Sequence, residues 1–267
     1  MFVRFRRRSG ASVRLVAIPY AGRGASAFCH FASFLPDDID FAVVQLPGRE
    51  NRIGESCFTS IVPLVDAVAE AFIRDLLVPE PLPYALFGHS LGGLVAFEVT
   101  RALRRRGAAL PFEIFISGRP PPDHDGQPSG LHRLSEDAFR EAMRELAGTP
   151  EEVLRNQDLM RILSPILRDD LEVCETYVFR SEAPLEIPLT VYGGIDDTSV
   201  PTAALPAWNR QTTRACRVRL VRGTHWFVNA EGSKGEGAFA QMFHDDLMRC
   251  VAHVKGDIAT ERPGEGP

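Results

Sequence analysis

Three residue types in this 267-residue chain stand in the right order for nucleophilic acyl chemistry: Ser90, then the pair Asp196-Asp197, then His225. Ser90 lies in Gly88-His89-Ser90-Leu91-Gly92, a G-x-S-x-G spacing extended by Gly93. Tyr84 to Phe87 read as a short apolar strand before it. Leu91, Leu94, Val95, Val99, Ala102 and Leu103 give a helical spacing after it. A serine between such a strand and helix sits on a turn too tight for flanking side chains, with its hydroxyl lifted above the sheet. Neither phosphate-cradling glycine pattern, G-x-x-x-x-G-K-[ST] or G-x-G-x-x-G, reads across these residues.

A neutral hydroxyl is a weak nucleophile, so Ser90 needs a base, and the base needs an orienting acid. His225 follows the strand candidate Ala215 to Val221 directly, and Asp196-Asp197 follow Ile187 to Tyr192 in the equivalent loop one strand earlier. The order Ser, Asp, His is the one α/β-hydrolases use. A glycine turn, an aspartate and then Val200 three positions on favour Asp197 as the acid, with Asp196 the alternative. His89 is adjacent to the serine and is read as a supporting residue. His30, His124, His132, His244 and His253 lack the strand-end context.

The oxyanion needs two donors. One is the backbone N–H of Leu91 at the helix start. The other is expected from the loop Pro19 to Gly24, from Ala21 or from its neighbour Gly22.

The positioning elements follow from periodicity. Val13 to Ile18, Phe41 to Leu46, Tyr84 to Phe87, Pro111 to Ser117, Ile187 to Tyr192 and Ala215 to Val221 read as strands. Helices are expected over Ala25 to Phe34, Thr59 to Leu77, Leu91 to Arg106, Leu205 to Gln211 and Phe239 to Val254. The alternation implies an α/β fold with a mostly parallel central sheet flanked by helices. Residues 13–122 and 185–255 are read as its core. Residues 123–184 are read as an inserted helical lid, with helices over Ser135 to Leu146, Pro150 to Asn156 and Leu159 to Phe179. Met143, Leu159, Met160, Ile162, Leu163, Ile166 and Leu167 would line an acyl pocket or pack the lid onto the body. Residues 1–12 are read as a flexible basic leader and 256–267 as a disordered tail. Arg49 and Arg52, in the loop after the second strand, would meet an anionic ligand or pair with Glu50.

A formal charge of -5 provides no general attraction to nucleic acid or to a membrane surface. Five scattered cysteines make neither a disulfide framework nor a metal knuckle, and no metal or cofactor is expected. No secretory-type apolar segment follows the basic N-terminus, so a cytoplasmic protein is expected. No assembly element is apparent, so a monomer is expected.

Six segments, taken together, resemble the type II thioesterases, the discrete α/β-hydrolases that accompany polyketide synthases and non-ribosomal peptide synthetases. They are IPYAGRGAS (Ile18 to Ser26), QLPGRENR (Gln45 to Arg52), FGHSLGG (Phe87 to Gly93), ISGRPPP (Ile116 to Pro122), YGGIDDTSV (Tyr192 to Val200) and GTHWFV (Gly223 to Val228). The resemblance spans roughly residues 13 to 254. It implies Ser90 as nucleophile, Asp197 as acid and His225 as base. It also implies acyl or aminoacyl thioesters on the phosphopantetheine arm of acyl or peptidyl carrier proteins as substrates, with editing of stalled carriers as the role. Arg23 interrupts a glycine pair frequent in the family, and Thr198 stands where proline is common. The competing expectations are a small-molecule carboxylester hydrolase or acyltransferase with the same triad, and a non-catalytic binding protein on a hydrolase scaffold.

Overall fold

The computed structural model describes residues 1–6, 10–79, 81–124, 129–229 and 236–261. Its sheet is built from β1 (Phe2–Arg6), β2 (Val13–Ile18), β3 (Ile39–Val44), β4 (Tyr84–His89), β5 (Glu113–Ser117), β6 (Leu189–Gly194) and β7 (Cys216–Val221). The spatial order is β1-β3-β2-β4-β5-β6-β7, with β1 antiparallel to β3 and every other pairing parallel. This is the mostly parallel sheet expected from the alternation of strand and helix, in the α/β-hydrolase arrangement that the resemblance implied. Parallel pairing sends the loops that follow β2, β4, β6 and β7 to one edge, the carboxyl edge, where such sheets place their chemistry.

The helices are α1 (Phe31–Phe34), α2 (Ile61–Phe72), α3 (Leu91–Arg105), α4 (Glu136–Glu145), α5 (Glu151–Arg155), α6 (Gln157–Glu175) and α7 (Glu236–Glu261). Side chains alternate across the strands, so each sheet face has its own core. Val16, Ile18, Leu86, Ile114, Ile116 and Val191 pack with α2 and α3. Leu15, Ala17, Phe41, Phe87, Phe115 and Tyr192 pack on the other face with Phe31 of α1 and with Phe239, Phe243 and Leu247 of α7. A third, small cluster of Phe139, Met143, Leu154 and Met160 lies wholly within the segment between β5 and β6.

Three readings change. Residues 2–6, expected as part of a flexible leader, form β1 at the sheet edge. Phe2 packs edge-on against Phe72 and Phe5 stacks on Phe41, so the apolar residues among the arginines reach both cores. Residues 7–9 of that leader lie outside the described residues. The closing helix extends through Glu261, so the expected disordered tail is helical at its start, and residues 262–267 lie outside the described residues. The helix expected from Thr59 to Leu77 ends at Phe72 and continues as a π-helical turn over Ile73–Leu77.

Buried charged residues interrupt the apolar strands at two places. Arg14 and Asp40 are register partners on β2 and β3 and form an ion pair at 2.5 Å, with Arg14 Nη1 also donating to Leu76 O at 2.9 Å. Glu113 of β5, 2% exposed, accepts a hydrogen bond from Thr190 Oγ1 at 2.7 Å and has no arginine in salt-bridge contact among the described residues. Burial pushes its carboxyl above the ordinary value of 4.5, against the hydrogen bonds from Thr190 and Cys250. A carboxyl raised on folding contributes its stability below the unfolded value, and that contribution is lost as pH climbs through the folded one. Glu113→Gln keeps the acceptor for Thr190 without the charge. It is expected to raise Tm at pH 7 by about 2 °C, with the gain vanishing below about pH 4.5, where glutamate is protonated in both states. Thermal melts at the two pH values check this.

Candidate active site

Ser90 sits at φ 52°, ψ -115° between β4 and α3, in a region that L-residues rarely occupy. The elbow is held by Ser90 N–H donating to Ser117 O of β5 at 2.8 Å. Its glycines are there for space. A Cβ on Gly88 would lie 2.1 Å from Gly92 O, and one on Gly92 would lie 2.0 Å from Ile18 O at the end of β2. The serine is thus carried on a strand-to-helix turn pressed against the neighbouring strand, and the Leu91 N–H is the first amide of α3, with no preceding helical carbonyl to accept it.

His225, in the loop after β7, contacts Asp197, in the loop after β6, through Nδ1 and Oδ2 at 2.7 Å. The other oxygen of Asp197 accepts from Ser199 N–H at 2.9 Å, Val200 N–H at 3.1 Å and Ser199 Oγ at 2.7 Å. Burial pushes the Asp197 carboxyl up, but the hydrogen bond and charge of His225 and the Ser199 donors outweigh it and hold it below the ordinary carboxylate range. Asp196 is exposed and turned to the neighbouring loop, where its Oδ2 accepts from Gly223 N–H at 3.2 Å. Ser90, Asp197 and His225 line one cavity of about 630 Å³.

His89 is fully buried behind His225, with ring centroids 4.8 Å apart and Nδ1 3.0 Å from Ser117 Oγ. Burial, and secondarily the nearby His225, lower its pKa well below the ordinary value, so it stands as a neutral support for the ring in front of it. Tyr20 packs edge-on to both His89 and Trp226, and its hydroxyl donates to Asn229 Oδ1 at 2.8 Å.

The loop after β2 makes a tight turn closed by Arg23 N–H donating to Tyr20 O at 3.1 Å, with Ala21 and Gly22 at its centre. Gly22 has φ 76°, as the third residue of a type II turn requires. Its N–H donates to Asp170 Oδ2 at 2.7 Å. That amide is committed, which leaves Ala21 as the loop's candidate donor.

The cavity roof comes from the segment between β5 and β6. Met143, Met160, Leu163 and Leu167 line it, joined by Leu146 and Leu171. Leu159 and Ile162, expected among them, point outward and are 41% and 53% exposed, and Ile166 is buried without reaching the cavity. The arginines after β3 are also reassigned. Arg49 is buried and paired in bidentate fashion with Asp170, while Arg52 bonds Glu55 and Gln45 O. Glu50 pairs with neither and caps Ser26 instead, accepting from its N–H at 3.2 Å and its Oγ at 2.6 Å.

Residues 13–247 match the family model described as a thioesterase domain. The chain belongs to the thioesterase family. This thioesterase is 40% identical over 227 residues to the gramicidin S biosynthesis protein GrsT of Aneurinibacillus migulanus, covering 85% of this chain and 87% of that protein. It is 36% identical over 231 residues to the thioesterase PikA5 of Streptomyces venezuelae, covering 85% and 79%. Among solved structures, RedJ, the thioesterase from the prodiginine biosynthetic pathway in Streptomyces coelicolor, superposes with a TM-score of 0.81 at 36% identity, covering 88% of this chain and 90% of that one. The chain is accordingly a type II thioesterase domain closely related to the discrete thioesterases associated with polyketide and non-ribosomal peptide synthases. Among its described residues no group of three or more His, Cys, Asp or Glu is placed to hold a metal ion, and no helix is long and apolar enough to cross a membrane.

Asp170, Trp226 and Ser199 were not singled out from sequence. Asp170 had a visible signal, since it continues the inward spacing of Leu163, Ile166 and Leu167 on α6, where a carboxylate is out of place. Trp226 Nε1 donates to Leu146 O at 2.7 Å and its ring fills the space beside Gly148, contacts 78 to 80 residues away in sequence that no local pattern announces.

Proposed function

We propose that Ser90, Asp197 and His225 form the catalytic triad, that the N–H groups of Leu91 and Ala21 receive the oxyanion, and that residues 123–184 act as the lid over the acyl pocket. The observation that carries this reading is the Asp197–His225 hydrogen bond, 2.7 Å long, on the wall of the cavity that contains the elbow serine. With Nδ1 held by Asp197, His225 offers Nε2 as the base. Ser90 Oγ attacks the thioester carbonyl carbon and its proton passes to Nε2. The tetrahedral intermediate collapses by breaking the C–S bond, and the leaving sulfur takes that proton. Water, deprotonated by His225, then attacks the acyl-serine ester, and the serine oxygen leaves with the proton, releasing a carboxylic acid.

The substrates are acyl or aminoacyl thioesters on the phosphopantetheine arm of acyl or peptidyl carrier proteins, and the role is release of stalled or aberrant groups. The relatives from gramicidin S, prodiginine and other synthase pathways support it, as does an apolar cavity roof able to take an acyl chain. Five unpaired cysteines fit the reducing cytoplasm where such synthases work.

Acyl release from intact carrier protein, compared with the same acyl group on free pantetheine and with the matched oxygen ester, tests the partner. Release is expected to be at least about tenfold faster from the carrier, measured as kcat/KM. Equal rates on free thioester and oxygen ester, with the carrier ignored, would move the function to small-molecule ester hydrolysis.

A further inference from the structure

One carboxylate ties together three segments that the proposed reaction needs in register. Asp170, 1% exposed on α6, accepts from Gly22 N–H at 2.7 Å and from Arg49 Nη1 at 2.5 Å through Oδ2, and from Arg49 Nη2 at 2.9 Å through Oδ1. Arg49, 4% exposed in the loop after β3, also donates through Nε to Pro47 O at 3.1 Å and through Nη1 to Arg23 O at 3.4 Å. Leu167, one helical turn before Asp170, lies so close to the same turn that a Cβ on Gly22 would meet its Cδ1 at 2.8 Å. A helix of the inserted segment therefore rests directly on the turn that carries Ala21.

We propose that Asp170 is a positioning residue for the oxyanion turn: its hydrogen bond to Gly22 N–H holds the Ala21–Gly22 peptide in one orientation, with the Ala21 carbonyl turned away from Asp170, and so anchors the turn whose preceding peptide carries the Ala21 donor. Type I and type II turns differ by a flip of this central peptide. The flip carries the third residue from φ near +80° to φ near -90° and turns its N–H to the other side. Glycine tolerates both, so residue type alone does not choose. A charge-assisted acceptor facing that N–H does choose.

Arg49 completes the device. A lone carboxylate beside the turn would oppose a developing negative oxygen, and the bidentate guanidinium cancels that charge while orienting both oxygens. The ordering of the donor is thereby coupled to the seating of α6 over the acyl pocket.

The proposal rests on the Ser90 reading, and the test separates the two. The double variant Asp170→Ala/Arg49→Met removes both charges together, so no unpaired ion is left buried. Its kcat on an acyl-pantetheine thioester is expected to fall about tenfold or more while KM stays within about threefold, with a cooperative melt retained. Phosphonylation of Ser90 by a fluorophosphonate, followed by mass spectrometry, is expected to slow to the same degree because its adduct also uses the donors. In the wild-type protein, exchange of the Gly22 amide followed by NMR is expected to be slowed at least about tenfold relative to an open loop.

A folded double variant with kcat within about threefold of wild type would overturn the proposal, as would a loss confined to KM or a Gly22 amide exchanging at the open-loop rate. Should the double variant not melt cooperatively, the wild-type exchange measurement decides alone. Wild-type turnover by Ser90→Ala would instead sink the Ser90 reading itself. An inactive Ser90→Ala beside a fully active double variant would sink only the role of Asp170.

Discussion

Ser90→Ala is expected to lower kcat for thioester hydrolysis by about 10⁶-fold, leaving the residual acceleration over water that oxyanion donors and binding supply by themselves. Free-thiol release from an acyl-pantetheine substrate measures it, and intact mass of the wild-type protein after rapid quenching should reveal an acyl adduct that the variant lacks. The stability of this position gives an independent check. Ser90 is held at φ 52°, and alanine inherits that strain. Glycine does not, so Ser90→Gly is expected to be equally inactive yet to melt about 2 °C higher than Ser90→Ala. Equal melting temperatures would argue that the elbow stores no strain, and turnover surviving either change would remove the serine from the chemistry.

Asp197→Asn is expected to cost about 10⁴-fold in kcat, and Asp196→Asn less than about threefold. The difference follows from what each oxygen faces. Asp197 Oδ1 meets the N–H groups of Ser199 and Val200. An asparagine would keep its carbonyl oxygen there and turn its NH₂ toward His225. Nδ1 would then have to accept, the proton would move to Nε2, and the imidazole could no longer take one from Ser90. Asp196 also lines the cavity, but its hydrogen bonds among the described residues go to the backbone of Gly223 and not to His225.

Proton linkage gives the same pair a second signature. A carboxyl depressed on folding contributes stability that is present above its unfolded value, near 3.8, and lost as pH falls through the folded one. Asp197→Asn should therefore weaken the acid destabilisation of the wild type, which urea titrations between pH 3 and 5 would measure. An Asp196→Asn variant with the larger kinetic loss would reverse the assignment.

Much of this molecule is visible in one dimension because its signals are local. The G-x-S-x-G glycines are demanded by contacts within the elbow and with the strand beside it, so their spacing is written in a five-residue window. The strand cores alternate apolar residues toward two faces, and the aspartate and histidine loops follow their strands immediately. The change of periodicity is what sets 123–184 apart in the sequence as an inserted helical segment, and its described residues carry an apolar cluster of their own around Phe139.

What stayed hidden depends on partners distant in sequence. The leader's FVRFR reads as basic and loose until the open edge of β3 and the rings of Phe41 and Phe72 are brought beside it. Arg14 is a poor residue for a buried strand until Asp40 stands across from it in register. Arg49 has an acidic neighbour at Glu50, which made that pair the natural reading, yet its carboxylate is Asp170, 121 residues away. The chain itself determined which side chains have the chemistry of acyl transfer and which strand ends carry them, since backbone sterics and hydrophobic alternation act over a few residues. Only the tertiary structure decided which aspartate faces His225, that the Gly22 amide is already committed, and which helix rests on the Ala21–Gly22 turn. Those choices are made by hydrogen bonds between segments that the sequence holds far apart and only packing brings within 3 Å.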